Sequence, residues 1–366
     1  MGDPTVPARE LVPAGSRPLR VALIAQPTQA TARYSLGGLD HVRRLAVALV
    51  QRGHLVTLIG AGLEGLTGVG YAAVDTDPVG DQRASAELVE RRHAEQAGKV
   101  LEFLGGMNDV EVVSDHTHIG WRPAGGVSEH LPTVHTSYQP LTSPPGPARR
   151  RPGHLGWVAI SQHQQHRAPS PAWAGMIHPG IPVGEHRLSV EHAGPCVYMG
   201  PLLKQHGAGL ALEAAHDAGR PIVLAGTTSS GEATAYLEVE LSPRLDRGDD
   251  LLAEVSPMER WDLLARASCL VAPLAPHVPY SLEIVEAMAY GTPVVTLAGT
   301  VGAELVNHGP GGLIVNHAGA LARAIEGTER LDPRRARHWA SVHFDLPVMA
   351  VAYERLLSQL LGTESR

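Results

Sequence analysis

Residues 281–295, with the sequence SLEIVEAMAYGTPVV, constrain the fold more than any other part of this chain. Acidic and apolar residues recur at helical spacing over 283–289, and the run 291–293, Gly-Thr-Pro, ends such a helix. The apolar pair at 294–295 then begins a buried strand. This order of elements predicts an α/β protein. The helix can direct the carboxylate of Glu286 toward a ligand, although the same pattern is consistent with a plain scaffold element.

A second α/β signal lies near the beginning of the sequence. An apolar strand is predicted at 20–25, an amphipathic helix at 42–50 and a second strand at 55–59. Gly37 and Gly38 precede the helix, where glycines let backbone N–H groups approach an anion and the helix dipole favours negative charge. The pattern predicts a βαβ unit that can hold a diphosphate. Because neither GxGxxG nor GxxxxGK[ST] is present, the two glycines are also consistent with a simple turn.

Both regions resemble the retaining GT-B glycosyltransferases of family four. The helix–strand unit and the following AGTVGAELVNHGPGGLIV at 298–315 match the family signature LEAMA-GTPVV. In that signature the second Glu of a Glu-x7-Glu motif binds the ribose of a nucleotide-sugar, and Glu286 stands at its position. Gly37, Gly38 and the RGHLV at 52–56 match the part of the family pattern that lies beside the donor phosphates. The resemblance implies two Rossmann-like domains that face an interdomain cleft, with the last helix crossing back to the N-terminal domain.

The remaining apolar runs agree with two open parallel sheets. Further candidate strands lie at 110–113, 132–135, 157–160, 197–199, 221–225, 269–272, 293–296 and 313–315. The Pro- and Gly-rich segment 178–195 has the composition of a linker. We therefore predict a mobile lead-in at 1–17, an N-terminal acceptor-binding domain at 18–186 and a C-terminal nucleotide-sugar-binding domain at 187–344, with 345–366 crossing back to the first.

Several histidines follow candidate strands of the N-terminal half. Asp115, His116 and His118 come after the strand at 110–113, and His135 comes at the end of the next strand. Three histidines so close suggest a metal, but no HExxH motif or cysteine partner accompanies them, so no metal site is predicted. The family resemblance instead makes His116 a catalytic residue in the cleft, with Asp115, His118 and His135 on the acceptor side. The alternative is a packed loop in which His116 is hydrogen-bonded.

The sequence departs from the family pattern at the donor phosphates. Family members carry GR-x4-KG after the first strand of the second domain, and Arg and Lys bind the donor diphosphate. Here the string is GPLLKQHG at 200–207, with Pro201 in place of Arg and His206 in place of Lys. Lys204 lies two residues earlier. We expect Lys204 and protonated His206 to act as the catalytic substitutes, because a departing diphosphate must be stabilised.

The other predicted donor contacts follow from the same resemblance. They are Gly37, Gly38, Gly200, Glu283, Glu286, Thr300, Val301, Gly302 and Glu304. Val278 stands where the first Glu of Glu-x7-Glu belongs and offers only an apolar surface to the sugar. The donor sugar is therefore expected to be deoxygenated or otherwise unusual.

Composition limits the remaining classes of protein. The net charge of −7 argues against a nucleic-acid or membrane surface, since both partners are polyanionic. The basic run at 149–151 is interpreted as a solvated loop, or else as a contact with an anionic acceptor. No signal peptide and no apolar run of about 18 residues is found, so a cytoplasmic protein without membrane insertion is expected. Cys196 and Cys269 stand in apolar surroundings and are interpreted as buried thiols in a reducing compartment.

Two functions of different classes follow. The first is a retaining, hexosyltransferase-type enzyme that moves a modified sugar from a nucleoside-diphosphate-sugar to a small-molecule acceptor in specialised metabolism, without cofactor or metal. The second is an accessory protein that keeps the fold and binds the nucleotide without transfer. A GT-B phosphorylase or a sugar-nucleotide epimerase is a weaker third hypothesis, because either would need the same phosphate contacts. The sequence does not indicate the base, the sugar, the acceptor or the oligomeric state.

Overall fold

The computed structural model describes most of the 366-residue chain. The described residues are 17–25, 39–60, 68–73, 95, 98–100, 102–107, 109–117, 131–140, 154–170, 172–226, 231–253, 255–307 and 309–362. Three predicted site residues, Gly37, Gly38 and His118, lie outside these ranges. The basic run at 149–151 and the lead-in up to residue 16 lie outside them as well.

Strands and helices alternate along the described residues. The strands are β1 (Arg20–Ile24), β2 (Leu55–Gly60), β3 (Gly70–Ala73), β4 (Val112–Asp115), β5 (Thr133–Ser137), β6 (His154–Ala159), β7 (Trp173–Met176), β8 (Cys196–Met199), β9 (Ile222–Gly226), β10 (Asp250–Ala253), β11 (Cys269–Ala272), β12 (Val294–Leu297) and β13 (Gly312–Val315). The α-helices are α1 (Leu39–Gln51), α2 (Gln162–Arg167), α3 (Ala208–Asp217), α4 (Gly231–Tyr236), α5 (Pro257–Arg266), α6 (Leu282–Tyr290), α7 (Val301–Val306), α8 (Leu321–Gly327), α9 (Pro333–His343) and α10 (Leu346–Leu360).

The strands form two sheets. The first has the order β3-β2-β1-β4-β5-β6-β7, and the second has the order β10-β9-β8-β11-β12-β13. The pairs β1-β2, β1-β4, β2-β3 and β4-β5 are parallel, as are all five pairs of the second sheet. The predicted α/β fold with two open parallel sheets is confirmed.

Each sheet reverses its strand order at one point. In the first sheet the chain moves outward from β1 to β3 and then returns to place β4 beside β1. In the second it moves from β8 to β10 and returns to place β11 beside β8. Loops that leave the carboxyl ends of two such strands diverge and open a crevice, which is where open parallel α/β sheets bind ligands.

Burial explains why these strands read as apolar runs. Strands of a parallel sheet are covered by helices on both faces, so they lack polar alternation. In the first sheet Ala22, Ile24, Ile59 and Val113 belong to one buried apolar cluster. In the second, both cysteines lie in the core, and the Sγ atoms of Cys269 and Cys196 are 3.7 Å apart. The interpretation of the cysteines as buried thiols agrees with this position.

The chain divides into two compact units. The first comprises 1–137, 148–158 and 350–366, and the second comprises 138–147 and 159–349. Strand β7 of the first sheet ends before the predicted boundary at 186/187, whereas the compact units separate near residue 159. The boundary stays a prediction.

The last helix, α10, packs within the first unit over most of its length. Arg52 donates from Nε to the Glu354 carboxylate, and His54 lies 3.5 Å from the same group. Thr136 Oγ1 and the Tyr353 hydroxyl are 2.9 Å apart. The return of the C-terminal helix to the N-terminal sheet, which the family resemblance implied, is therefore present.

Candidate active site

The second sheet brings the predicted donor-binding residues to one edge. Because β8, β11 and β12 are parallel neighbours, their carboxyl ends lie together. Gly200 follows β8 directly, and a short turn at Lys204–His206 comes next. Thr300 follows β12 and caps the start of α7, while nine residues separate the end of β11 from the start of α6. The point at which the strand order of the sheet reverses, between β8 and β11, lies among these predicted residues.

Helix α6 fixes the position of Glu286. Ser281 caps its N-terminus by accepting from the N–H of Ile284, and its hydroxyl donates to Glu283 Oε2 at 2.8 Å. Gly291 ends the helix in the left-handed conformation, with φ of 85°. Residues 284–290 are all buried, so Glu286 is a carboxylate in an otherwise apolar helix surface.

A buried arginine pairs with this carboxylate. Arg260 on α5 donates from Nε to Glu286 Oε2 at 2.7 Å and from Nη2 to the same oxygen. Its Nη2 also lies 3.6 Å from Glu283 Oε1. Burial and the charge of Glu286 raise the pKa of the neighbouring Tyr290 to about 12. A buried carboxylate needs such a partner, because an unpaired buried charge is strongly unfavourable.

Arg260 was not among the residues predicted from sequence, although a signal existed. It lies four positions before Leu264, and these two residues form the buried face of α5. An arginine on the apolar stripe of an amphipathic helix requires a buried partner. The sequence could have indicated a partner in this way but not which carboxylate it was.

The loop after β8 carries the two proposed catalytic cations. Lys204 is exposed, and His206 is half-buried. The His206 ring lies against the ring of His277, from the loop after β11, with centroids 5.9 Å apart. Burial and His277 lower the pKa of His206, and the charge of Glu283 opposes them only in part. His206 is therefore neutral near pH 7 in this state, whereas the sequence prediction relied on its protonated form.

The predicted donor contacts after β12 are occupied by contacts within the protein. The Thr300 hydroxyl donates to the Leu297 carbonyl at 2.8 Å, and Val301 is fully buried. Gly302 packs directly on Thr296, because a Cβ at 302 would overlap the Thr296 side chain. Residues 300–302 therefore form a packed turn. Their contact with a donor stays a prediction.

Glu304 joins α7 to α2. Its carboxylate accepts from the N–H groups of Gln162 and His163 at 2.8 and 2.7 Å, and from His178 Nε2 at 2.6 Å. Burial alone would raise the pKa of Glu304, but the hydrogen bonds from these three residues outweigh it and lower the pKa below its usual value. The carboxylate thus accepts hydrogen bonds from backbone N–H groups in the first turn of α2, where a helix offers no internal partner.

In the first unit, two of the predicted acceptor-side residues lie on neighbouring strands, Asp115 at the end of β4 and His135 in the middle of β5. Asp115 and His135 are register partners, and His135 Nδ1 lies 3.0 Å from Asp115 Oδ2. Asp115 Oδ1 accepts from the N–H and hydroxyl of Thr117, both at 2.7 Å. Burial would raise the pKa of Asp115, but its hydrogen bonds to His135 and Thr117 prevail and lower it. Asp115 is therefore an ionised buried carboxylate that orients His135.

His116 follows Asp115 and is buried among packed side chains. Its Nε2 lies 3.1 Å from Ser114 Oγ, and its ring centroid is 5.6 Å from that of Tyr353 on α10. Burial, helped by the nearby His41, lowers the pKa of His116 to about 3. At neutral pH the ring is uncharged, so it can serve as a hydrogen-bonding group but is a poor general base.

Part of the sequence matches a known protein family, and the fold is similar to that of solved structures. Residues 195–328 match the family described as glycosyl transferases group 1. A solved structure of AviGT4, a glycosyltransferase involved in avilamycin A biosynthesis, has 23% identity and a TM-score of 0.69 over 95% of this chain and 99% of that chain. Sucrose-phosphate synthase from Thermosynechococcus elongatus has 17% identity and a TM-score of 0.71 over 94% of this chain and 100% of that chain. No match is found among curated protein sequences.

A third similar structure contains a nucleotide-sugar. It is HepE from Anabaena in complex with UDP-glucose, with 19% identity and a TM-score of 0.66 over 93% of this chain and 99% of that chain. Together with the two parallel sheets, these likenesses settle the architecture. The chain has the GT-B fold.

Within this GT-B protein the family match covers the residues of the second unit that are predicted to bind the donor. The matched range 195–328 contains Lys204, His206, Glu286 and Glu304, together with the unpredicted Arg260. The acceptor-side group at 115–135 lies outside it. The family match thus falls within the second compact unit.

The described residues contain neither a group suited to a metal ion nor a helix suited to a membrane span. Within the described ranges, no three His, Cys, Asp or Glu side chains are grouped so as to hold a metal ion. The expected absence of a metal or cofactor stays a prediction. Among the helices of the described residues, none is both long and apolar enough to cross a membrane.

Proposed function

We propose that this GT-B protein is a retaining glycosyltransferase that moves a sugar from a nucleoside-diphosphate-sugar to a small-molecule acceptor. The observation that carries the proposal is the position of Glu286. A buried carboxylate held by Arg260 lies on the helix that follows β11, beside the strand reversal and inside the range that matches glycosyl transferases group 1. Crevices at such reversals are where α/β sheets bind nucleotides.

In this proposal each donor group has a separate role. The Glu286 carboxylate accepts hydrogen bonds from the ribose hydroxyls. Lys204 and His206 stabilise the negative charge that develops on the departing diphosphate, with backbone N–H groups of Gly37 and Gly38 as further donors. Val278 is buried and presents an apolar surface where family members place a carboxylate. This supports a donor sugar that lacks a hydroxyl or is otherwise modified.

On the acceptor side, His116 and the Asp115–His135 pair would contact the acceptor and the donor sugar, with His118 as a neighbour. A neutral His116 can donate or accept a hydrogen bond without carrying charge. The involvement of AviGT4 in avilamycin A biosynthesis supports a specialised-metabolite acceptor for this chain. HepE in complex with UDP-glucose supports a nucleotide-sugar donor. We also propose that the protein acts in the cytoplasm.

An accessory protein without transfer activity is the second candidate. Two observations favour it. Pro201 replaces a phosphate-binding arginine, and Val278 replaces a sugar-binding carboxylate. Each lost contact of this kind is worth a few kcal/mol of transition-state stabilisation, so turnover could fall by several powers of ten while nucleotide binding remains.

A two-part experiment tests the function. Thermal unfolding is measured with UDP, ADP, GDP and thymidine diphosphate, because a ligand at a hundred times its dissociation constant adds about 2.7 kcal/mol of stability. Nucleotide-sugars of each stabilising base are then assayed for transfer to a panel of small hydroxylated acceptors, and the anomeric product is identified by NMR. Transfer with retention supports the enzyme, binding without transfer supports the accessory protein, and no binding by any nucleotide contradicts both.

A further inference from the structure

The loops after β8 and β11 place two imidazole rings side by side at the strand reversal of the second sheet. His206 ends the turn after β8, and His277 lies five residues beyond the end of β11. Their ring centroids are 5.9 Å apart and their planes meet at 80°. The sequence indicated His206 as a substitute for a family lysine, but it gave no role to His277.

The backbone that carries His206 is held in place. The Tyr198 hydroxyl lies 2.8 Å from the carbonyl oxygen of Pro201 and 3.3 Å from that of His206. Gly207 adopts φ of 90°, and a Cβ there would overlap the carbonyl oxygen of Pro273. The loop after β8 is therefore packed directly on the loop after β11.

The loop that carries His277 is also held. The N–H of Leu274 donates to the carbonyl oxygen of Ala272, and the N–H of Val278 donates to that of Ala275. His277 therefore lies within a tight turn that directly follows another. His163 Nε2 contacts the carbonyl oxygen of Pro276 at 2.6 Å. Hydrogen bonds and packing within the protein therefore fix the backbone of both loops.

In the absence of a ligand, the surroundings of the two rings disfavour a proton on His206. Burial and His277 both disfavour a proton on His206, and Glu283 is the acid that favours one. Glu283 is itself 3.6 Å from Arg260. Lys204 adds an exposed positive charge on the same turn. An anion between the two rings would reverse the balance, because a negative charge close to an imidazole favours its protonated form.

We propose that His206 and His277 together bind the diphosphate of the nucleotide, and that the pair takes up a proton when the diphosphate binds. The inference rests on the proposed function and names the groups that replace the missing arginine and lysine. His277 is a binding residue in this account, and the two rings act as one unit in which protonation and phosphate binding are linked. Lys204, already protonated, contributes charge without proton uptake.

This linkage has a measurable sign. Because the pKa of His206 is lowered, its ring is uncharged above neutral pH in the free protein. Each proton that binding requires then weakens the apparent affinity by about tenfold per pH unit. The terminal phosphate of a nucleoside diphosphate is largely ionised in this range, since its second pKa is about 6. A loss of affinity between pH 7 and 8.5 therefore reports on the protein.

The test is isothermal titration calorimetry of UDP, ADP, GDP and thymidine diphosphate at pH 7.0 to 8.5. Buffers with different ionisation enthalpies, such as PIPES, HEPES and Tris, give the number of protons taken up. We expect uptake by the wild type, and its reduction in His206→Gln and in His277→Gln. Lys204→Ala should bind more weakly with unchanged uptake, and His338→Gln, at an exposed histidine of α9, should match the wild type. Thermal unfolding confirms that each variant is folded.

The outcomes separate this inference from the proposed function. If a nucleotide binds the wild type without proton uptake, or if His277→Gln keeps full affinity and uptake, the histidine pair is overturned and the proposed function stands. If none of the four nucleotides binds at any pH, the proposed function fails and this inference fails with it.

Discussion

The Nε of Arg260 lies 2.7 Å from Oε2 of Glu286, and this buried ion pair links the helices α5 and α6. The carboxylate predicted to bind ribose is thus already fixed by the protein. Such fixing lowers the cost of orienting the group when a ligand arrives. It also means that a change at Glu286 affects both stability and binding, and the two effects have to be measured separately.

Replacing Glu286 with Ala should weaken binding of a nucleoside diphosphate by about 1.5–3 kcal/mol, the usual worth of a hydrogen bond to a charged group. The same variant removes the nearest carboxylate from the buried Arg260 guanidinium and leaves Glu283 at 3.6 Å, so the loss of unfolding free energy should reach at most about 3–5 kcal/mol. Calorimetric titration and denaturant unfolding measure the two losses.

The double variant Arg260→Met, Glu286→Leu is the matched control. Well-packed apolar residues often replace a buried ion pair without loss of stability, so this variant should unfold like the wild type and still bind weakly. Unchanged affinity in either variant would mean that α6 is scaffold alone.

Gly38→Val should abolish nucleoside diphosphate binding and leave the protein folded. Gly38 lies outside the described residues, so this prediction comes from the sequence alone: a side chain there would block the approach of the diphosphate to the backbone. Circular dichroism checks the fold and calorimetry checks binding. If the Val variant binds normally, the phosphates contact another part of the chain.

Lys204→Ala should lower turnover by about a hundredfold or more, because a charge close to the departing diphosphate acts mainly in the transition state. Lys204→Arg, which keeps the charge, should recover part of the loss. Steady-state kinetics with the active nucleotide-sugar measure both. Equal rates for wild type and Lys204→Ala would exclude Lys204 from catalysis.

Glu304→Gln should destabilise the protein near pH 7 and lose this effect in acid. The pKa of Glu304 is lowered in the folded state, so its contribution to stability is complete above the unfolded value of about 4.3 and disappears as pH falls through the folded value. Urea unfolding of both proteins between pH 7 and 3 provides the measurement. A stability difference that stays constant with pH would contradict the network of Glu304 with His178 and the first turn of α2.

His116 should remain uncharged throughout the physiological range, since burial and His41 lower its pKa to about 3. In two-dimensional NMR its ring resonances should not shift between pH 8 and 5, whereas exposed histidines titrate near pH 6.5. Any step in activity near neutral pH must then come from other groups. Titration of His116 itself within that range would show that its surroundings are less closed than the structure indicates.

The fold was predictable because its signals are local. Helix α6 begins at Leu282 and ends before Gly291, as the spacing and the Gly-Thr-Pro stop predict. Strand β4 was predicted at 110–113 but spans Val112–Asp115, because polar Ser114 and Asp115 pair within the sheet and composition alone does not show this. Strand ends that carry polar residues are the positions at which apolar runs mislead.

The site was predictable only in part, because its pairs are formed by packing between distant segments. Arg260 and Glu286 are 26 positions apart, and His206 and His277 come from different loops. Neither pair has a spacing rule that could reveal it. The resemblance indicated where a ligand should lie. Which side chains contact each other there depends on the order of β8 and β11 in the sheet.

Gly207 finally has a practical meaning for anyone who wishes to change the donor preference of this protein. Its backbone conformation and its contact with Pro273 leave no room for a side chain, so the loops after β8 and β11 pack closely at this position. A library that randomises residues 201–206 should keep this glycine constant. Variants that lose it would lose the arrangement of the loop after β11 as well, and their altered selectivity would be misattributed to the randomised residues.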